Sequence, residues 1–195
     1  LTVIPSCVDL SAFRNLSPAQ APFRVIGAIG RLDRQKGFDR LITAFRRTRR
    51  PDILLKIFGE GAESETLREL ARDDPRIRFM GFSANPVAAM AGVDLVAMPS
   101  KWEAYGLVAI EALAAGRALL VSGVDGLADH IPHGAQVVTD NSVQAWQFAL
   151  ENAALEHAAV SRVAPVTGPC LEKAFSDEWS QMVSSLLAGQ LYHQN

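Results

Sequence analysis

Six short apolar runs alternate along the chain with longer segments in which apolar residues recur at helical spacing. The runs are 24–30 (RVIGAIG), 53–59 (ILLKIFG), 76–82 (RIRFMGF), 94–100 (DLVAMPS), 118–123 (ALLVSG) and 135–139 (AQVVT). Between them the pattern predicts a helix over Phe38–Arg47 and a charged amphipathic helix in AESETLRELARD. It also predicts a short helix in NPVAAMAGV with Pro86 in its first turn, and one from about Gly106 to Ala115 stopped by Gly116. Two more follow, in DNSVQAWQFALENAALEH behind an Asp/Asn cap and in SDEWSQMVSSLLAG. The opening LTVIPSCVDLSAF reads as a strand and turn. Strands that are apolar throughout and separated by helices belong to a parallel sheet covered on both faces. The expected fold is therefore α/β, a Rossmann-like doubly wound sheet of about six strands. Ligands of such sheets sit at the carboxyl ends of the strands, which singles out the loops 30–37, 59–63, 80–86, 99–108 and 122–130.

Composition changes this picture little. At 195 residues and 49% hydrophobic the chain fits one ordinary globular domain. A net charge of −2 gives no general attraction to nucleic acid or anionic membrane. Cys7 and Cys170 show no CxxC spacing, which argues against a zinc site or disulfide scaffold and fits a reducing compartment. No apolar run reaches the length of a membrane span. The chain begins without methionine, partway into a strand-like segment, so it is expected to be one domain of a longer protein. The charge run RRTRR (46–50) reads as the end of a helix whose cations complement the dipole.

Candidate chemistry lies on the loops. Arg31 and Lys36 flank the end of the first strand and the start of the next helix, a place suited to a phosphate, although surface cations are commonly just solvated. Neither GxxxxGK[ST] nor GxGxxG occurs. Gly106, Leu107 and Val108 should open a helix with their N–H groups outward. Glu111 lies further along this apolar helix, where a merely buried charge would be costly. Its carboxylate could accept hydrogen bonds from vicinal hydroxyls such as those of a ribose, or pair with a neighbouring Arg or Lys. Glu103, before the helix, is either a second hydroxyl-binding carboxylate or an exposed loop acid. Cations, open N–H groups and two carboxylates on loops of one sheet edge describe a site for a sugar carried by a nucleoside diphosphate. The histidines 130, 133, 157 and 193 fit no catalytic motif and read as surface or loop residues, and Trp102, Trp146 and Trp179 as packing residues.

The motifs VIPSCVDLSAF, GAIGRLDRQKGFDRLITAF, LLKIFGEG, IRFMGF, AGVDLVAMPSKWEAYGLVAIEALAAG and FSDEWSQMVSSLL occur in the order found in one group of enzymes. In them the chain resembles the C-terminal, donor-binding domain of GT-B glycosyltransferases, most closely the retaining family four (group 1). The resemblance implies that the chain is one half of a GT-B fold, with 1–20 as an interdomain connecting segment, 24–139 as the α/β core and 140–195 as C-terminal helices. It implies that Arg31 and Lys36 hold the donor diphosphate above Gly30 and the Gly106–Val108 N–H groups. Glu111 would bind the ribose, and Glu103 the transferred sugar with Ala104 and Tyr105 nearby. Gly59, Gly61, Met80 and Gly81 would flank the base. Glu103, Arg31 and Lys36 are then the catalytic candidates. No metal or cofactor is implied, the NDP-sugar being the substrate. Partners implied are the N-terminal domain of the same protein and a glycan or lipid-linked acceptor, with no nucleic acid. The setting implied is the cytoplasm, with peripheral association of the full protein at the inner membrane face. In GRALLVSGVDGLADHI the family's GxPVVxxxxGGxxEVI is altered: a proline is lost, and Asp125 and Asp129 replace glycine and glutamate. Competing readings are a UDP-N-acetylglucosamine 2-epimerase-like enzyme and a non-catalytic nucleotide-sugar-binding module.

Overall fold

The computed structural model describes residues 9–153, 177 and 179–185. Two compact units divide the chain, Leu10–Val166 and Leu1–Asp9 with Thr167–Asn195. The first contains α1 (Ser11–Arg14), β1 (Val25–Ile29), α2 (Phe38–Arg47), β2 (Leu54–Phe58), α3 (Ser64–Ala71), β3 (Ile77–Gly81) and α4 (Pro86–Ala91). It continues with β4 (Leu95–Met98), α5 (Leu107–Ala114), β5 (Ala118–Ser122), α6 (Asp125–Ala128), a 3₁₀ turn (Ile131–His133), β6 (Gln136–Val138) and α7 (Val143–Ala153). In the second unit Asp177 and residues 179–185 are helical.

The strands form one six-stranded sheet in the order β3-β2-β1-β4-β5-β6, and every pairing is parallel. This is the doubly wound order, and its direction reverses between β1 and β4. β4 and β5 are buried along their whole length, as strands with helices on both faces must be. Strand residues two apart share a face. Ile26, Ala28, Leu55, Ile57, Leu95, Ala97, Ala118 and Leu120 join Leu41, Phe45, Leu67, Trp146 and Leu150 in one core cluster. Thus α2, α3 and α7 cover one face, while α1 packs with α4 and α5.

Local chemistry sets the boundaries. The Asp94 carboxylate accepts the N–H groups of Arg24 and Val25 at 2.9 and 2.8 Å, registering the two strands at the reversal. Asn85 caps α4 through Ala88 N at 3.0 Å, with Pro86 in the first turn as expected. Arg76 donates to the carbonyls of Thr48 and Arg50, at 3.3 and 2.9 Å, just beyond the end of α2. Arg46 and Arg47 do occupy the last turn of α2.

Four expectations need correction. Residues 11–14 are a helical turn and not part of a strand–turn. The cap of α7 is Ser142, whose Oγ accepts from Ala145 N at 3.0 Å; Asp140 instead accepts the Ser142 N–H, and Asn141 the Trp146 indole N–H. Trp146 is buried, but Trp179 is half exposed and so is not a core packing residue; Trp102, expected to pack against its own loop, is 58% exposed. His130 is buried and therefore not a surface residue, whereas His133 is exposed. The readings of 1–8 (with Cys7), Cys170, His157, His193 and the end of the 140–157 helix fall outside the described residues.

Candidate functional site

The reversal point brings the loop after β1 against the loop after β4. Gln35 joins them twice: its carbonyl accepts Lys101 N at 2.8 Å, and its amide donates to Trp102 O at 3.1 Å. At this seam Lys36 Nζ lies 2.6 Å from Glu103 Oε2, with side chains only 15% and 11% exposed. Glu103 is therefore not an exposed loop acid, and Lys36 is not a freely solvated cation. Ser100 Oγ, on a buried residue, also reaches Glu103 Oε2 at 3.4 Å. Both of these contacts fall on Oε2, which among the described residues leaves Oε1 to accept hydroxyl protons, and the ammonium retains donors beyond the one it gives Glu103. The Lys36 stem crosses Gly30, its Cε 3.4 Å from where a Cβ on that glycine would stand.

Ser100 is itself held from below. Ser122 Oγ donates to Ser100 O at 2.6 Å, and Asn141 Nδ2 approaches the same carbonyl at 3.4 Å while its Oδ1 takes the Trp146 indole N–H at 2.7 Å. The carboxylate loop is thereby tied to the core through β5 and the start of α7.

Beside this seam, Ile29, Gly30, Arg31, Phe58, Gly59, Glu60, Phe82, Ser83, Pro86 and Ala89 line a cavity of about 280 Å³. It is mainly apolar, with an exposed aromatic at its rim, since Phe82 is 71% exposed. Gly59 stands at φ 135°, and a Cβ there would lie 1.9 Å from Gly30 O, so no larger residue lets the two loops approach this closely. Arg31 is largely exposed and meets Asp33 Oδ2 and Gln35 Oε1, both at 3.2 Å. Gly61, Met80 and Gly81 do not line the cavity. Gly61 packs on Leu32 O, Met80 is half exposed, and Gly81 lies near the Glu60 carboxylate.

Gly106 is the left-handed N-cap of α5, so the N–H groups of Gly106, Leu107 and Val108 precede the first intrahelical bonds. Within α5, Ala109, Ile110, Ala112, Leu113 and Ala114 are buried, and Glu111 is part-buried on the remaining flank. Burial pushes the Glu111 carboxyl above its usual range. No ion pair or side-chain hydrogen bond holds it among the described residues, so the expected alternative of a salt bridge is not found there. The structure thus joins Lys36, Glu103 and Gly30 directly, sets Arg31 and Gly59 on the adjoining cavity, and shows no contact between Glu111 and the pair.

The profile of one family, Glycosyl transferases group 1, matches residues 12–159. The chain belongs to the glycosyl transferases group 1 family. It is 34% identical over 143 residues to glycogen synthase of Mycobacterium tuberculosis, covering 69% of this chain and 34% of that protein. It is 28% identical over 179 residues to the lipopolysaccharide core biosynthesis glycosyltransferase LpsE of Rhizobium meliloti, covering 87% and 52%. The chain thus spans between a third and about half of the length of these curated relatives. In fold it is similar to S. aureus TarM in complex with fondaparinux, alpha-GlcNAc-glycerol and UDP. The TM-score is 0.79 at 17% identity, over 92% of this chain and 38% of TarM.

In this group 1 glycosyltransferase chain several supporting residues were not legible beforehand. Phe82 follows the FMG turn of β3, and an aromatic directly after a strand-end glycine was the available signal. Gln35, Ser122 and Asn141 act through backbone carbonyls, which no side-chain motif records. His130 falls in DHI where the family pattern reads EVI, a departure visible in the sequence whose consequence was not.

Proposed function

We propose that this chain is the donor-binding half of a retaining glycosyltransferase. It would transfer a hexose-type sugar from a nucleoside diphosphate to a glycan or lipid-linked acceptor in the building of cell-surface polysaccharide or lipopolysaccharide. The observation that carries the reading is the Lys36–Glu103 pair, set where the sheet order reverses and flanked by the open end of α5 and an apolar cavity with an aromatic rim. TarM in its UDP complex and the polysaccharide and lipopolysaccharide enzymes among the relatives support the substrate class.

The base lies in the cavity against Phe82, and the ribose hydroxyls donate to Glu111. The diphosphate meets Arg31, the spare donors of Lys36 and the Gly106–Val108 N–H groups. Glu103 accepts from hydroxyls of the transferred sugar and fixes its anomeric carbon toward the acceptor. As the bond between that carbon and the phosphate oxygen breaks, charge grows on the leaving diphosphate, where these cations and N–H groups stabilise it most. The departing phosphate oxygen takes the acceptor hydroxyl proton as the new glycosidic bond forms on the same face. Metal is not required. The N-terminal domain supplies the acceptor side, so this chain alone binds donor and does not turn over. The full protein works in the cytoplasm, peripherally at the membrane when its acceptor is lipid-linked.

A thermal-shift panel of UDP, GDP and their sugar conjugates tests the reading. A ligand at about a hundred times its Kd adds about 2.7 kcal/mol to stability, so one base class should raise the Tm clearly. No shift with any nucleotide at millimolar concentration would overturn it.

A further inference from the structure

The segment from Val124 to His130 lies directly behind the loop that carries Glu103. Gly126 N donates to Glu103 O at 3.2 Å, and a Cβ on Gly126 would stand 2.4 Å from the Ala104 carbonyl. Leu127 is fully buried, with its Cδ2 2.6 Å from the place of a Cβ on Gly106. His130 completes this contact. It is 2% exposed, its Nε2 lies 2.6 Å from Tyr105 O, and its ring meets the Tyr105 ring edge-on at 5.3 Å.

A carbonyl oxygen only accepts, so this contact requires the hydrogen on Nε2. The acceptor belongs to the peptide that joins Tyr105 to Gly106. In a trans peptide the C=O and N–H point in opposite directions. Clasping the Tyr105 carbonyl from behind therefore fixes the aim of the Gly106 N–H on the other side, the first of the open donors at the head of α5.

We propose that His130 is a positioning residue of the donor site: its Nε2–H holds the Tyr105–Gly106 peptide so that the Gly106 N–H faces the bound diphosphate. The assignment rests on the donor-site reading above.

The test uses the full chain with His130→Val, which removes the donor, and His130→Gln, which returns an amide N–H near the Nε2 position. Amide hydrogen exchange and titration with UDP and GDP are the readouts. In the valine variant, exchange over residues 103–110 should accelerate at least tenfold while β1 and α2 keep their rates, and nucleotide Kd should rise about five- to tenfold. Glutamine should restore both in part. Exchange over 103–110 unchanged in the valine variant, or valine and glutamine variants indistinguishable, would overturn the proposal. Nitrogen NMR of the wild-type imidazole gives a check independent of any variant: the Nε2–H tautomer is expected, and an Nδ1–H tautomer contradicts the clasp. A wild-type chain that binds neither nucleotide overturns the donor-site reading and this assignment with it. One that binds, beside a valine variant that binds equally well, overturns this assignment alone.

Discussion

Glu111→Gln separates what the side chain costs the fold from what it gives the site. The carboxyl is part-buried in the second turn of α5, between buried Ile110 and Ala112, and burial raises its pKa. A raised native pKa means that the folded chain holds the proton more tightly than the unfolded one. Its contribution therefore favours folding below the unfolded pKa and is lost as pH rises through the native value. Above that value the ionised group opposes folding. Partial burial of a carboxylate without a partner costs on the order of 1 kcal/mol, well below the several kcal/mol of full burial. The amide carries no such charge, so the variant should melt about 2–4 °C higher at neutral pH. That gain should shrink as acid protonates the wild-type carboxyl. In the site the change has the opposite sign. Hydrogen bonds to a charged acceptor contribute about 1.5–3 kcal/mol and neutral ones about 0.5–1.5, so binding should weaken by about 1–2 kcal/mol. This is about five- to thirtyfold in Kd. Scanning fluorimetry from about pH 5 to about pH 8, with nucleotide titration of both proteins, reads the two effects together. A variant that is less stable at neutral pH refutes the burial argument, and an unchanged Kd refutes the ribose role.

Three further perturbations follow from named contacts. Lys36→Met strands the largely buried Glu103 and should cost about 1–3 kcal/mol, whereas Lys36→Met with Glu103→Leu should cost less than the sum; strict additivity in urea denaturation would show that the pair is not coupled. Arg76 holds the Asp74 carboxyl below its ordinary range, a contribution present above the unfolded pKa and lost as pH falls. Arg76→Met should therefore lower stability by about 1–3 kcal/mol at neutral pH and flatten the acid limb of the stability profile; an unchanged acid limb would refute the assignment. Phe82→Ala should weaken nucleotide binding by about 1–3 kcal/mol while moving stability by no more than about 0.5 kcal/mol, and equal losses in both would make Phe82 a packing residue.

The sheet was legible because its strands are buried on both faces and read as unbroken apolar runs. Each of the six apolar runs contains its observed strand, to within a residue or two at either end. The alternation of strands and helices gave the doubly wound class, whereas the neighbours of each strand, and so the reversal between β1 and β4, came only from the structure. The short elements were not legible: α1, α6 and the 3₁₀ turn are too brief for periodicity, and the α7 cap fell to Ser142 because Asp140 and Asn141 turned to other partners. In the site, the residue types on each loop were legible, but the pairing of Lys36 with Glu103 was not, since it depends on how Gln35 docks two loops 67 positions apart. His130 was read as a surface or loop residue, and it does lie in a turn, but its burial was not legible because one buried donor to a backbone carbonyl leaves no spacing signature.

The central claim is that Lys36, at the reversal point, holds the diphosphate of a nucleotide donor. Calorimetric titration of the chain with UDP and with GDP, repeated with Lys36→Ala, tests it most directly. The account predicts saturable one-site binding of one of these nucleotides, weakened at least tenfold by the substitution, a loss of about 1.4 kcal/mol or more. Saturable binding that Lys36→Ala leaves unchanged, or no binding of either nucleotide, would contradict it.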